Sequence, residues 1–199
     1  MTSRQTTEPP ARPPMPVHHN SVLPLGFRQT CRRLGVLPTR FVLLVRVRTQ
    51  QMQLVQPLPG FLTPDCLLRK TFRISTSRFG IGQTRNSNRT PRGLHRIGKK
   101  AGGGWPVGAA FKNRELIGYT WKGRPGAAIT HRILWLEGLE PGFNRGGNVD
   151  TFERYIYIHG TGDEPALGRP ASRGCIHLSS AELLPLYDLL PVGTLVWIE

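Results

Sequence analysis

The sequence predicts a mainly β fold, β-sandwich-like or a partly closed barrel, with one short helix near the C-terminus. Short apolar stretches recur along the chain with turn-forming residues between them, a pattern typical of all-β domains. The 199 residues include 23 glycines and 18 prolines, which indicates many turns and disfavours a helical bundle. With 38% hydrophobic and 20% charged residues, the composition is that of a globular chain.

The N-terminal part of the chain has the composition of a tail. Five prolines fall between Pro9 and Pro16 among polar residues, which predicts disorder over about the first 20 residues. Residues 22–37 contain scattered apolar side chains without a sustained period, so a short helix and further tail are both open. We therefore divide the chain into a disordered or weakly structured tail, 1–38, and a folded domain, 39–199.

Strands are predicted where β-branched and aromatic residues form short apolar runs or alternate with polar residues. Segments rich in glycine, proline and asparagine separate them as turns and loops. Residues 99–108, which contain three consecutive glycines, are predicted to be flexible. The strand-like segments are 41–47, 52–55, 67–76, 94–97, 129–136, 155–158 and 194–198.

Helical periodicity is clear over residues 179–190. Ser179 or Ser180 can cap the start of this helix, and Glu182 lies in its first turn. Pro191 follows its end. Its shared apolar face consists of Leu183, Leu186, Leu189 and Leu190.

Positive charge is concentrated in the N-terminal half of the chain. Residues 1–100 contain 18 basic and two acidic residues, whereas residues 101–199 contain nine basic and ten acidic residues. Such a half attracts an anionic partner, which could be nucleic acid, a membrane surface or a carboxylate-rich polymer. No nucleic-acid-binding motif accompanies the charge, so a nucleic-acid partner is not expected.

Cysteine spacing and hydropathy bear on the compartment. Cys31, Cys66 and Cys175 lack the spacing of a disulfide framework. In an exported protein, Cys31 and Cys66 could pair and leave Cys175 reduced. No stretch approaches the ~20 apolar residues of a membrane helix, so no transmembrane segment is predicted. The polar, proline-rich start does not resemble a secretory signal peptide.

A histidine and a cysteine near the C-terminus have the character of a catalytic pair. His159 follows the apolar run 155–158, and Cys175 lies sixteen positions later in a turn with Ser172 and Gly174. His159 could accept the thiol proton, and a thiolate–imidazolium pair would lower the pKa of the thiol. Backbone N–H groups of Gly174 and Cys175 could stabilise an oxyanion. A backbone carbonyl or a hydroxyl is expected to orient the imidazole.

Other interpretations of these side chains are possible. A single cysteine is more often a buried, unreactive core residue. Cys175, His177 and His159 could bind zinc, but no fourth ligand lies at a familiar spacing, and no metal is predicted. His95 and His131 lie in strand-like contexts and are interpreted as structural.

The residues of this region resemble a known signature. His-Gly-Thr at 159–161, followed by Ser-x-Gly-Cys-Ile at 172–176, is similar to the active-site motif of the L,D-transpeptidase (YkuD-type) catalytic domain. The resemblance covers roughly residues 40–199 and implies that domain's fold, without a metal or organic cofactor. Further segments that fit the family are 72–77, 90–93, 95–97, 134–138 and 154–159.

The resemblance implies acyl transfer between donor and acceptor stem peptides of peptidoglycan, in the cell envelope or periplasm. Cys175 would attack the carbonyl before the terminal D-residue of a tetrapeptide donor, with His159 as general base and proton donor. Gly174, Ser172 and Gly160 would support the site and its oxyanion. An acceptor amine would complete a cross-link, whereas water would give an L,D-carboxypeptidase.

One position departs from the family. The family usually has arginine two residues after the cysteine, where this chain has His177. Arginine binds carboxylates in a bidentate manner and keeps its charge, which histidine does not do reliably at neutral pH. His177 and Arg173 are therefore candidate substrate contacts, and Arg169 is another residue that could compensate. The alternative from a different class is a non-catalytic protein that binds an anionic cell-wall polymer.

Overall fold

The computed structural model describes residues 20–60 and 64–199. Strands predominate in this part of the chain, and the mainly β fold is confirmed. Its helices are α1 (Leu25–Leu34) and α2 (Ser180–Leu189). Its strands are β1 (Asn20–Val22), β2 (Val42–Arg46), β3 (Gln51–Pro57), β4 (Asp65–Arg73), β5 (Gly93–Ala101), β6 (Ala109–Lys112), β7 (Glu115–Tyr119), β8 (Ile129–Gly138), β9 (Tyr157–Gly160), β10 (Ile176–Leu178) and β11 (Leu195–Ile198).

All of these strands join one curved sheet that does not close into a barrel. Its main path is β1-β4-β3-β2-β11-β5-β8-β6-β7, and β9 and β10 branch from β8. The C-terminal strand β11 pairs with β2 on one side and with β5 on the other. The end of the chain therefore connects the two halves of the sheet.

Hydrophobic clusters cover both faces of the sheet. The alternation of side chains along β2 sends Leu43 and Val45 into the main cluster and Val42 and Leu44 into a second one. The main cluster also takes residues from β3, β4, β8, β9, β10 and α2, so the two halves of the sheet bury their apolar faces together. Each fully buried aliphatic side chain of this kind contributes about 1.5–3 kcal/mol.

Residues 22–37, for which a short helix and further tail were both open, contain helix α1. Its left-handed C-cap is Gly35, whose backbone N–H donates to the carbonyl of Arg32, a common way to end a helix. One side of the helix packs on the second cluster, where Phe27 contacts Trp197 of β11 edge-on, with ring centroids 6.2 Å apart. The apolar stripe on this side consists of Phe27, Cys31 and Leu34, and Leu23, which precedes the helix, joins the same cluster.

The predicted tail is only partly covered by the structure. Residues 1–19 lie outside the described residues, while β1 pairs with β4 and α1 packs on the sheet. The division of the chain at residue 39 stays a prediction. In the part of the chain that the structure describes, neither α1 nor α2 is long and apolar enough to cross a membrane.

The predicted C-terminal helix is present as α2. Ser179 occupies the N-cap position, and Leu183, Leu186 and Leu190 are buried as predicted. Leu189 differs, because nearly half of its side chain is exposed. Glu164 accepts a hydrogen bond from the backbone N–H of Ser180 at 2.7 Å, which satisfies one of the free donors at the helix start.

Some predicted boundaries shift. Strand β5 continues to Ala101, because an irregularity between Ile97 and Lys99 allows it to keep pairing with β8 beyond the predicted end. The flexible segment is correspondingly shorter than 99–108. Strand β9 begins at Tyr157 rather than at Tyr155, which lies in a turn with φ 57°.

The sequence did not indicate the hairpin formed by β6 and β7. Its turn consists of Asn113 and Arg114, both with positive φ, at 52° and 69°. Two residues with positive φ are typical of the tight turns whose twist matches that of the flanking strands. Arginine is an unusual choice at such a position, so the turn residues gave no clear signal.

Candidate active site

The parallel pairing of β9 and β10 defines one face of the candidate site. Ile158 lies opposite Ile176, and both are fully buried in the main cluster. Because side chains alternate along a strand, His159 and His177, which are also opposite each other, point to the other face. Their ring centroids are 4.8 Å apart. Cys175 directly precedes β10 and packs in the aromatic cluster of this face, which includes Tyr157 of β9.

The group that orients His159 is a backbone carbonyl. Its Nδ1 lies 2.7 Å from the carbonyl oxygen of the next residue, Gly160, which can only accept a hydrogen bond. Nδ1 therefore carries the proton. Burial, with a smaller contribution from His177, lowers the pKa of His159 to about 3. The imidazole is thus neutral at physiological pH, and its Nε2 has a free lone pair.

The thiol of Cys175 is also neutral in the resting site. Its Sγ donates to the carbonyl of Tyr155, with an S···O distance of 3.5 Å. Burial raises the pKa of Cys175 to about 11, although a backbone hydrogen bond from Tyr157 and the charge of Arg154 act in the opposite direction. The structure therefore holds a thiol and a neutral imidazole instead of the predicted thiolate–imidazolium pair.

The turn before the thiol is held by Ser172. Its Oγ donates to the carbonyl of Cys175 at 2.6 Å and accepts from the N–H of Gly174 at 3.2 Å. The Gly174 N–H, a predicted oxyanion donor, is thus already engaged within the turn. Gly174 has φ 119°, and a Cβ there would lie 3.1 Å from Ile156, so glycine meets both the backbone and the packing requirement.

Residues far upstream brace this turn. Thr90 donates from Oγ1 to the carbonyl of Gly174 at 3.0 Å. Ser75 exchanges two backbone hydrogen bonds with His177, of 3.1 and 2.8 Å. Both residues belong to segments that resemble the family upstream, and the sequence pattern alone did not assign them a role. Their contacts explain why those segments accompany the His–Cys motif.

The candidate substrate contacts have different environments. Burial lowers the pKa of His177 to about 4, and the nearby Asp163 acts in the opposite direction. His177 is consequently neutral and lies against His159. Arg173 is exposed and lines a pocket of about 370 Å³. Arg169 does not line this pocket, but its carbonyl accepts a hydrogen bond from Ser75.

An aromatic cluster borders the thiol on the side of the β6–β7 hairpin. The ring of Trp135 stacks on Phe152 at 3.9 Å between centroids. Arg114, in the hairpin turn, lies 4.6 Å above Trp135 and 5.0 Å above Tyr155, and it donates to the hydroxyl of Tyr157 at 3.1 Å. The hairpin that the sequence did not indicate thus contributes a cation to the wall of the site.

The other two histidines of the described residues, His95 and His131, have structural partners, as the sequence predicts. His95 is buried, with hydrogen bonds from its ring nitrogens to Gly93 and Thr151. His131 accepts a hydrogen bond at Nδ1 from the N–H of Gly108. Among the described residues, no group of three histidine, cysteine or acidic side chains is arranged to hold a metal ion.

The remaining cysteines are not paired in the structure. Cys31 and Cys66 are both free thiols, fully buried in the second cluster. Burial raises the pKa of Cys31 to about 12 and also raises that of Cys66. Fully buried thiols are unreactive, whereas Cys175 is only partly buried.

Comparisons with known proteins agree with the fold. A family model described as the L,D-transpeptidase catalytic domain (YkuD) matches residues 40–198. The Bdellovibrio bacteriovorus protein Bd1075 is 13% identical, with a TM-score of 0.51, over 81% of this chain and 48% of that one. An L,D-transpeptidase from Mycobacterium smegmatis is 15% identical, with a TM-score of 0.46, over 80% of this chain and 58% of that one.

L,D-transpeptidase 3 from Mycobacterium tuberculosis, whose structure contains a faropenem-derived adduct, is also similar. It is 15% identical, with a TM-score of 0.45, over 80% of this chain and 60% of that one. The chain thus spans about half to three fifths of the length of these three structures. No curated protein was found to match the sequence.

Proposed function

The chain belongs to the L,D-transpeptidase (YkuD) catalytic domain family, and we propose that it is a cysteine-dependent L,D-transpeptidase acting on peptidoglycan stem peptides. The observation that carries the proposal is the shared face of β9 and β10. His159, whose Nδ1 is committed to a carbonyl, lies on this face, and Cys175 directly precedes β10 and packs in the cluster that contains Tyr157 of β9. A nucleophile, a base and a group that orients the base are the components of a covalent acyl-transfer site.

The first step is acylation of the enzyme. The Sγ of Cys175 attacks the carbonyl before the terminal D-residue of a tetrapeptide donor, while its proton passes to Nε2 of His159. We assign the Cys175 N–H to the developing oxyanion, because the Gly174 N–H is bonded to Ser172. When the tetrahedral intermediate collapses, the C–N bond breaks and His159 returns the proton to the leaving amine. The products are a thioester on Cys175 and a free D-amino acid.

The second step resolves the thioester. The amine of an acceptor stem attacks the thioester carbonyl, the C–S bond breaks, and His159 moves the proton from the amine to the sulfur. The result is an amide cross-link and a regenerated thiol. Water as the acceptor would yield a shortened stem instead, which is the L,D-carboxypeptidase alternative at the same site. His159 is buried, and this burial does not itself select between an amine and water as the acceptor.

Incubation of the purified protein with a disaccharide-tetrapeptide tests the proposal. Mass spectrometry should detect an acyl adduct on Cys175 and release of the terminal D-amino acid. Cys175→Ala should lack both, and His159→Gln should reduce the rate of acylation by about 10²–10⁴, the usual contribution of a general base. Release that persists in Cys175→Ala would exclude the proposed mechanism. Dimers indicate transpeptidation, and shortened stems indicate carboxypeptidation.

A penem separates the enzyme from a non-catalytic polymer-binding protein. The similar enzyme from Mycobacterium tuberculosis was solved with a faropenem-derived adduct. We expect faropenem to add to Cys175 of this chain and to leave Cys31 and Cys66 unmodified, since both are fully buried. A degenerate site in a protein that only binds the cell wall would leave all three thiols unmodified.

A further inference from the structure

The pocket beside the thiol is rich in positive charge. Its lining includes Arg85, Arg154 and Arg173, and we call it the arginine pocket. We propose that the arginine pocket binds the terminal carboxylate of the donor peptide. The inference rests on the proposed function and names the part of the enzyme that recognises its donor. Neutral His177 is unsuited to recognise a carboxylate, so the inference assigns that role to the arginine pocket.

The arginine pocket adjoins the thiol through Tyr155. Arg173 is two residues before Cys175 and belongs to the same turn. Tyr155 lines the pocket and also accepts the hydrogen bond of the thiol through its carbonyl. Arg154 is close enough for its charge and that of the sulfur to influence each other. Cys175 itself does not line the pocket, so a bound donor would extend past Tyr155 to reach the sulfur.

The distance along the substrate fits this position. The terminal carboxylate of the donor is separated from the attacked carbonyl by a single residue, which spans about 3.8 Å. Once that carbonyl is in contact with the sulfur of Cys175, the carboxylate must lie immediately beside the thiol. The pocket volume of about 370 Å³ accommodates the terminal residue together with its carboxylate.

The charges of the pocket are largely uncompensated. Among the residues that the structure describes, none of its three arginines forms a salt bridge. One acidic side chain, the exposed Glu153, also lines the pocket, so a positive excess remains. Arginine matches the planar geometry of a carboxylate with paired N–H donors, and such charge-assisted hydrogen bonds are stronger than neutral ones.

One of the three arginines of the pocket is held in place by hydrogen bonds. Arg154 is half-buried, and its guanidinium donates to the carbonyls of Gly82 at 3.1 Å and Arg89 at 2.6 Å. Asn86 and Asn88, both exposed, also line the pocket, in a loop where both residues have positive φ. One arginine held by hydrogen bonds and two exposed arginines together form a site for an anion rather than a general basic surface.

The experiment compares two ligands that differ only at the terminal group. Cys175→Ala protein, which cannot form the thioester, is titrated by calorimetry with a tetrapeptide stem and with the same peptide carrying a terminal amide. We expect the free acid to bind at least about tenfold more tightly than the amide. Arg85→Gln and Arg173→Gln, added together, should reduce this difference, with Arg154 still present in the pocket.

Matched variants keep the test specific. Arg32→Gln with Arg48→Gln removes the same charge from exposed arginines that do not line the pocket, and the preference for the acid should persist. Equal affinity for acid and amide, no binding of either, or a preference that loss of Arg85 and Arg173 does not reduce would each overturn the inference. The binding experiment involves no acyl transfer. If Cys175→Ala protein prefers the acid but the wild-type protein releases no D-amino acid, only the proposed function is overturned.

Discussion

At the scale of single residues, burial favours the uncharged forms of both the Cys175 thiol and the His159 imidazole in the candidate site. The pKa of Cys175 is raised to about 11 by burial, and that of His159 is lowered to about 3 by burial. Charges then develop only when the proton moves from sulfur to Nε2 during attack on the carbonyl. The backbone hydrogen bond from Tyr157 and the charge of Arg154 favour the thiolate at that moment.

The first prediction concerns the reactivity of the free thiol. Because only the thiolate reacts with iodoacetamide, alkylation of Cys175 should be slow at pH 7 and should accelerate about tenfold for each pH unit up to pH 10. The rate is measured by mass spectrometry of the intact protein. Cys175→Ala provides the control, because its remaining thiols, Cys31 and Cys66, are fully buried. A rate that is already constant from pH 5 to 8 would indicate an ion pair and contradict the structure.

At the scale of elements, the sequence identified those whose pattern is local. The strands β2, β3, β4, β5, β8 and β11 were predicted because apolar runs and turn residues mark them directly. Helix α1 was left open because it is only 10 residues long and Leu25 lies outside its buried stripe, so the apolar pattern is short and irregular. The turn of Asn113 and Arg114 was missed because arginine is not a residue that normally signals positive φ.

The second prediction tests whether α1 is an integral part of the fold. Phe27 is fully buried and packs edge-on against Trp197, so Phe27→Ala should lower the free energy of unfolding by about 3–5 kcal/mol. Leu25→Ala on the same helix should change it by less than about 0.5 kcal/mol, because Leu25 is 58% exposed. Denaturation in guanidinium chloride measures both values. A loss of unfolding free energy in Phe27→Ala that is as small as in Leu25→Ala would mean that α1 does not contribute to the stability of the domain.

At the scale of the whole molecule, the candidate site combines short-range and long-range features. The pair His159 and Cys175 could be predicted because both residues lie in one short motif. The bracing contacts of Thr90 and Ser75 could not, because they depend on how distant segments meet in the folded sheet. The same holds for the arginine pocket, in which the charges come from three separate loops, so the charge count of the chain did not locate it.

The third prediction concerns the stability of the whole domain in acid. Burial lowers the pKa of His95, His159 and His177 to about 4, 3 and 4, against about 6.5 in the unfolded chain. The unfolded chain therefore binds more protons below pH 6.5, and stability that is complete above this pH is lost as the pH falls towards 4. The melting temperature should decrease over this window, and less so in His95→Gln. Self-repulsion of the basic chain has a similar effect, but 0.5 M salt screens it and should leave the histidine contribution intact. A melting temperature that stays constant from pH 7 to 4 in salt would show that these histidines are not held in the neutral form.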